Sequence, residues 1–93
     1  MADYYIRYDA ESVVWAFEED GVEWFVLKDI RAVLDAQMPI AFNADTIKRV
    51  DATTYVNNVG IERMVDALEE SGRDVGFFRH WFSEIQTDTS VTH

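Results

Sequence analysis

The chain has 93 residues, enough for one domain and too few for two separate cores. Apolar residues make up 48% and aromatic residues 14%, which excludes disorder, and the absence of cysteine excludes a disulfide framework, a thiolate zinc site and a cysteine nucleophile. Eighteen acidic against eight basic residues give a formal net charge of −10, so the folded surface repels nucleic acid and attracts basic protein patches.

In chain order, Tyr4-Tyr5-Ile6-Arg7-Tyr8 suits a half-buried pleated surface and predicts a first strand. From Ser12 the residues Val13, Trp15 and Phe17 alternate with Val14 and Ala16, Glu18-Glu19-Asp20-Gly21 supplies turn chemistry, and Val22 to Leu27 resumes a β-rich run. This is a β-hairpin on an Asp-Gly turn, because Gly accepts positive φ without a Cβ clash. At Lys28 the period changes: Ile30, Val33 and Leu34 mark one face of a short helix that runs to about Asp35 and stops before Pro39. Asn43 or Asp45 is a cap for another short helix over Thr46 to Val50, and Thr54-Tyr55-Val56 reads as a brief strand. Ile61, Met64, Val65 and Leu68 form the apolar stripe of a helix that Gly72 stops. Asp74 caps the last helix, whose stripe of Val75, Phe78, Phe82 and Ile85 is widened by Phe77 and Trp81. Trp15, Trp24 and Trp81 all sit in apolar patterns and are assigned to the core.

Strands first and helices later predict an α+β fold: a small antiparallel sheet with its β-hairpin packed against three to four helices. The domain is expected to occupy residues 1–86, with 87–93 a flexible polar tail. No run reaches the roughly 18–20 apolar residues of a membrane span, and Met1-Ala2-Asp3 lacks the start of a signal peptide. The expected location is therefore cytoplasmic, with no membrane partner.

Three segments carry a resemblance. Asp20 to Ile30, Tyr55-Val56-Asn57-Asn58-Val59-Gly60-Ile61 and Phe78-Arg79-His80-Trp81-Phe82-Ser83-Glu84-Ile85 resemble, in order and spacing, the opening hairpin, the strand-to-helix turn and the closing helix of the BRO-N domain of viral and phage proteins. The likeness spans roughly residues 12–86 and implies a BRO-N-like fold, a bacterial host cell and DNA binding for gene regulation. Lys48, Arg49, Arg63, Arg73 and Arg79 are the residues that DNA binding would use. The charge departs from the family pattern, since Glu18, Glu19, Asp20 and Glu23 crowd the hairpin while Asp66, Glu69, Glu70 and Asp74 crowd the junction between the last two helices.

Those two acidic groups are the candidate partner-binding residues. The hairpin group is either a solvated loop that keeps an edge from aggregating or a contact patch for Arg and Lys of a partner. In the second group Asp66, Glu69 and Glu70 at i, i+3 and i+4 share a helix face, and their repulsion is more easily tolerated when a partner supplies positive charge. Neither has the alternating ligand positions, central Gly and distal Glu of a calcium loop, and His80 with Glu84 at i, i+4 offers two ligands only, so no metal or cofactor is expected. No phosphate loop, nucleophile elbow or histidine pair at metal spacing is present, which argues against an enzyme. In being short, acidic and without catalytic motifs the chain is similar to anti-CRISPR proteins and other DNA mimics, a likeness of type and not of residues. The expected function is a phage-type inhibitor or adaptor that occludes the basic surface of a nucleic-acid-binding protein complex. The alternative is a BRO-N-type DNA-binding transcriptional regulator, and the expected assembly is a monomer or a homodimer.

Overall fold

A computed structural model of the protein describes residues 3–35 and 42–91, with side chains as far as residue 85. Pro39 and the tail end at residues 92–93 lie outside the described residues. The described chain runs β1 (Asp3–Arg7), β2 (Val13–Glu19), β3 (Val22–Val26), α1 (Leu27–Leu34), a 3₁₀ turn (Ala44–Thr46), β4 (Ile47–Val50), β5 (Thr53–Val56), α2 (Asn58–Glu70) and α3 (Gly76–Val91). The strands form one antiparallel sheet in the order β1-β2-β3-β5-β4, and with the helices this makes an α+β domain.

The hairpin forms where the Asp-Gly signal places it. Asp20 and Gly21 take φ of 54° and 78°, the left-handed pair of a two-residue type I′ turn, and β2 and β3 pair from Ala16↔Phe25 to Glu19↔Val22. Segment 46–50 is different from its predicted helix. Asn43 starts only a single 3₁₀ turn, closed by the Thr46 hydroxyl donating to the Asn43 carbonyl at 2.7 Å, and Ile47–Val50 then extends as β4. The physical reason is the pattern over residues 47–56: two short runs that begin and end on β-branched residues, Ile47–Val50 and Thr53–Val56, stand two residues apart. Asp51 takes φ 55° between them, so a hairpin ladder replaces a helix too short to hold itself.

Alternation along the strands divides the sheet into two faces. One face carries Ile6, Val14, Ala16, Phe25, Ile47 and Val56 against all three helices. Into it pack Ile30 and Leu34 of α1, Ile61, Met64, Val65 and Leu68 of α2, and Val75, Phe78, Trp81, Phe82 and Ile85 of the last helical segment. Phe25, Phe78 and Phe82 form its centre, with Phe78 stacked on Phe82 at 5.8 Å and Phe25 edge-on to Phe82 at 5.7 Å. Each large apolar side chain buried there contributes about 1.5–3 kcal/mol.

The opposite face holds Tyr5, Val13, Trp15, Phe17, Val22, Trp24, Val26 and Tyr55. Trp15 is 45% exposed and Trp24 half-buried, so of the three tryptophans only Trp81 belongs to the main core. The sequence pattern missed this because an apolar strand with two apolar faces does not say which of them the helices cover. Phe17 is buried on this second face without them, edge-on to Tyr55 at 4.7 Å. Phe77, expected on the buried stripe of α3, is 64% exposed, with its ring edge-on to Tyr8 at 5.2 Å.

The helix ends follow local chemistry. Asn57 caps α2 by accepting the Gly60 N–H at 3.0 Å, and its own N–H donates to the Thr46 carbonyl at 3.0 Å, tying the helix start to the 3₁₀ turn. At the other end Gly72 takes φ 96°, its N–H reaches the Glu69 carbonyl and the Arg73 N–H the Leu68 carbonyl, a Schellman ending. Asp74 Oδ1 accepts the Gly76 N–H at 3.0 Å at the start of α3. The backbone of α3 continues helically to Val91, into the segment read as a flexible tail. No helix among the described residues is long and apolar enough to cross a membrane.

Candidate functional site

The strand alternation that builds the sheet separates the hairpin carboxylates. Glu18 and Glu23 stand directly opposite each other on the helix-bearing face, Glu19 points to the other face, and Asp20 sits in the turn. Glu19 is taken by an ion pair to Lys48 Nζ, and the same ammonium lies over the rings of Trp24 and Phe17, 5.5 and 6.0 Å from their centroids. Glu23 accepts a hydrogen bond from the Tyr4 hydroxyl. Burial first, then that hydrogen bond and the negative charges of Glu23 and Glu18, push the Tyr4 phenol well above its usual range. Glu18 and Asp20 are exposed and make no ion pair among the described residues.

The second acidic group is more fully committed. Arg79 of α3 reaches across to α2 and bridges Asp66 at 2.7 Å and Glu69 at 3.2 Å, and the hydrogen bond to Asp66 leads in raising the guanidinium further above its ordinary value. Asp74 is engaged at the start of α3, as described above. Only Glu70 of this group stays exposed with no partner among the described residues. The structure therefore brings Asp66 and Glu69 together around a cation, holds half-buried Glu23 on the Tyr4 hydroxyl, and leaves Glu18, Asp20 and Glu70 exposed without an ion pair among the described residues.

The basic residues fare similarly. Lys48 and Arg79 are paired as above, and Arg73 donates to the carbonyls of Leu34 at 2.6 Å and Asp35 at 3.1 Å, where it closes the C-terminus of α1. Arg49 and Arg63 remain exposed and form no ion pair among the described residues, Arg49 on β4 and Arg63 in the middle of α2. Sequence reading missed a groove of about 540 Å³ lined by Val26, Leu27, Lys28, Arg31 and residues 52–54. It exists because β3 turns directly into α1 while β5 continues alongside; the available signal was Lys28 and Arg31 flanking the change of period.

The abrupt β3-to-α1 switch also leaves residues 13–15 of β2, paired with β1 on one side, without a strand neighbour on the β3 side. Asp29 on α1 fills that gap, its carboxylate accepting the Trp15 N–H at 3.0 Å. His80 and Glu84 meet at 3.0 Å on the exposed side of α3, and among the described residues no three His, Asp or Glu side chains converge as a metal-ligand set. The chain matches no known protein family, no curated protein and no solved structure.

Proposed function

We propose that this domain is a non-enzymatic binding module on a BRO-N-like scaffold, which engages a cationic protein surface through the open end of its β2–β3 hairpin. The observation that carries the reading is the direct cross-strand opposition of Glu18 and Glu23, with Asp20 two residues beyond Glu18 in the turn. Like charges directly opposite in a ladder destabilise the hairpin, and among the described residues no cation bridges these two. A partner's Arg and Lys groups would supply the missing charge, and the anionic surface would speed the encounter. A basic groove that normally holds nucleic acid fits this chemistry, and occupying it would work by occlusion, as a DNA mimic does. The engagement of Lys48, Arg73 and Arg79 within the fold supports this reading over direct DNA binding.

The test is co-purification of the tagged chain from bacterial cells carrying defence systems, alongside two variants of equal charge. One carries Glu18→Lys, Asp20→Asn and Glu23→Gln, with Asn chosen because it tolerates the left-handed turn position. The other carries Glu62→Lys, Asp45→Asn and Glu11→Gln, exposed positions outside both acidic groups. Loss of a captured nucleic-acid-binding protein in the hairpin variant alone is the expected result. Equal loss in both would reduce the effect to bulk charge and overturn the assignment. A salt-sensitive shift of duplex DNA by the unmodified chain would replace it with the DNA-binding reading.

A further inference from the structure

We infer that the free edge of β1 is a self-pairing surface, and that two copies of this chain join there as an antiparallel β1–β1 ladder about a two-fold axis at Tyr5. The inference begins from which way the backbone faces. β1 is an outer strand of the sheet. The Trp15 N–H points away from β1, toward Asp29, so Tyr5↔Trp15 is a pair that exchanges no hydrogen bonds. Tyr8 N–H, by contrast, donates inward to Ser12 at 2.9 Å, which sets the same parity from the other end. The N–H and C=O groups of Asp3, Tyr5 and Arg7 therefore point out of the sheet. Of these, the Arg7 carbonyl accepts the Trp81 indole N–H at 2.8 Å and keeps its second lone pair.

An open strand edge is a template for another strand, and chains that avoid pairing place Lys, Pro or a bulge along it. β1, Asp-Tyr-Tyr-Ile-Arg, has none of these, and the two charged side chains it does carry, Asp3 and Arg7, are of opposite sign. What it has is a charge pattern that reads as its own complement. Antiparallel pairing centred on Tyr5 sets Tyr5 opposite Tyr5, Tyr4 opposite Ile6, and Asp3 opposite Arg7 at both ends. Asp3, Tyr5 and Arg7 share the sheet face turned away from the helices, so each carboxylate meets a guanidinium as a same-face cross-strand pair. A slip of two residues in either direction leaves at least one of these charges without its opposite. The register is thus specified by charge, and the interface is isologous, as a two-fold contact requires.

Part of the exposed apolar surface lies beside this edge. Tyr5 is 56% and Trp15 45% exposed, with their rings 5.3 Å apart, and Phe77 stands beside Tyr8 just past the end of the strand. Pairing would carry the aromatic strip on the second face of one sheet into that of its neighbour. The β1 edge is also locally neutral, so the net charge of −10 is carried elsewhere on each copy.

Sedimentation velocity on the full chain over a range of concentrations should show a species of twice the 10.8 kDa chain mass. Asp3→Arg or Arg7→Asp alone turns both end pairs into like-charge pairs and should weaken the dimer roughly tenfold or more. The decisive step is to mix the two variants: Asp3→Arg chains and Arg7→Asp chains, each monomeric alone, should form a heterodimer, because their charges oppose again in the same register. Tyr5→Pro, which removes an outward N–H and leaves the bonds to β2 intact, should be monomeric with an unchanged far-ultraviolet circular dichroism spectrum. A monomer at all concentrations, or two folded single variants that do not combine when mixed, overturns the inference.

Discussion

Replacing Gly60 with Ala tests whether α2 is held against the sheet as closely as described. A Cβ on Gly60 would run into Cγ2 of Val56 and would lie 3.2 Å from Thr46 Cβ and 3.4 Å from the Thr46 carbonyl oxygen. Neither neighbour yields easily. Val56 is fully buried and β-branched, hence stiff at χ1, and the Thr46 carbonyl is pinned by the Asn57 N–H at 3.0 Å. In an open helix the change would gain up to about 1 kcal/mol, whereas overpacking costs about 1–3 kcal/mol. The net expectation is a loss of about 1–2 kcal/mol, a fall in thermal midpoint of roughly 5–15 °C for a domain this size. Urea and thermal unfolding followed by circular dichroism measure it. The cause is identified by the Val56→Ala background, where the added methyl occupies vacated space: there the Gly60→Ala penalty should shrink or reverse, a favourable coupling of about 0.5–3 kcal/mol. A single variant as stable as the parent, or a double variant whose losses simply add, would refute the close helix–sheet contact.

Two further predictions concern groups whose roles the structure separates. The Tyr4 phenol is raised by burial and by Glu23, so its neutral form is favoured in the folded state; stability should hold up to about pH 10 and fall above it as the unfolded chain ionises first. Urea midpoints across that range should decline less steeply in Tyr4→Phe, while Tyr8, raised chiefly by its own burial, contributes a decline of the same sign. Arg73→Ala releases the two α1 carbonyls and should cost about 1 kcal/mol, while Arg63→Ala at an exposed position without an ion pair among the described residues should change stability by less than about 0.5 kcal/mol. Equal effects of the two in chemical denaturation would contradict the assignment of Arg73 to the end of α1.

Much of this architecture was legible in the residues because short-range chemistry controls it. The Asp20-Gly21 turn, the change of period at Lys28, the α2 stripe and its Gly72 ending each depend on steric or capping preferences acting within a few positions. The acidic groups were legible as composition, but their availability was not. Whether Asp66 is open depends on Arg79 arriving from another helix, and whether Glu19 is open depends on Lys48 arriving from β4, thirteen and twenty-nine positions away.

The amino-acid sequence by itself determined an α+β domain, its first hairpin, its three main helices and the sign of its surface, since backbone preference, apolar period and net charge are properties of neighbouring residues or of their sum. Only the tertiary structure decided that Ile47–Val50 pairs as a strand, that Trp15 faces away from the helices while Phe25 faces them, and that the backbone groups of Asp3 and Tyr5 point out from an outer strand of the described sheet while the Arg7 carbonyl takes the Trp81 indole. Those outcomes depend on which segments meet. A strand is made by its partner, and a side chain is buried by whatever comes to cover it.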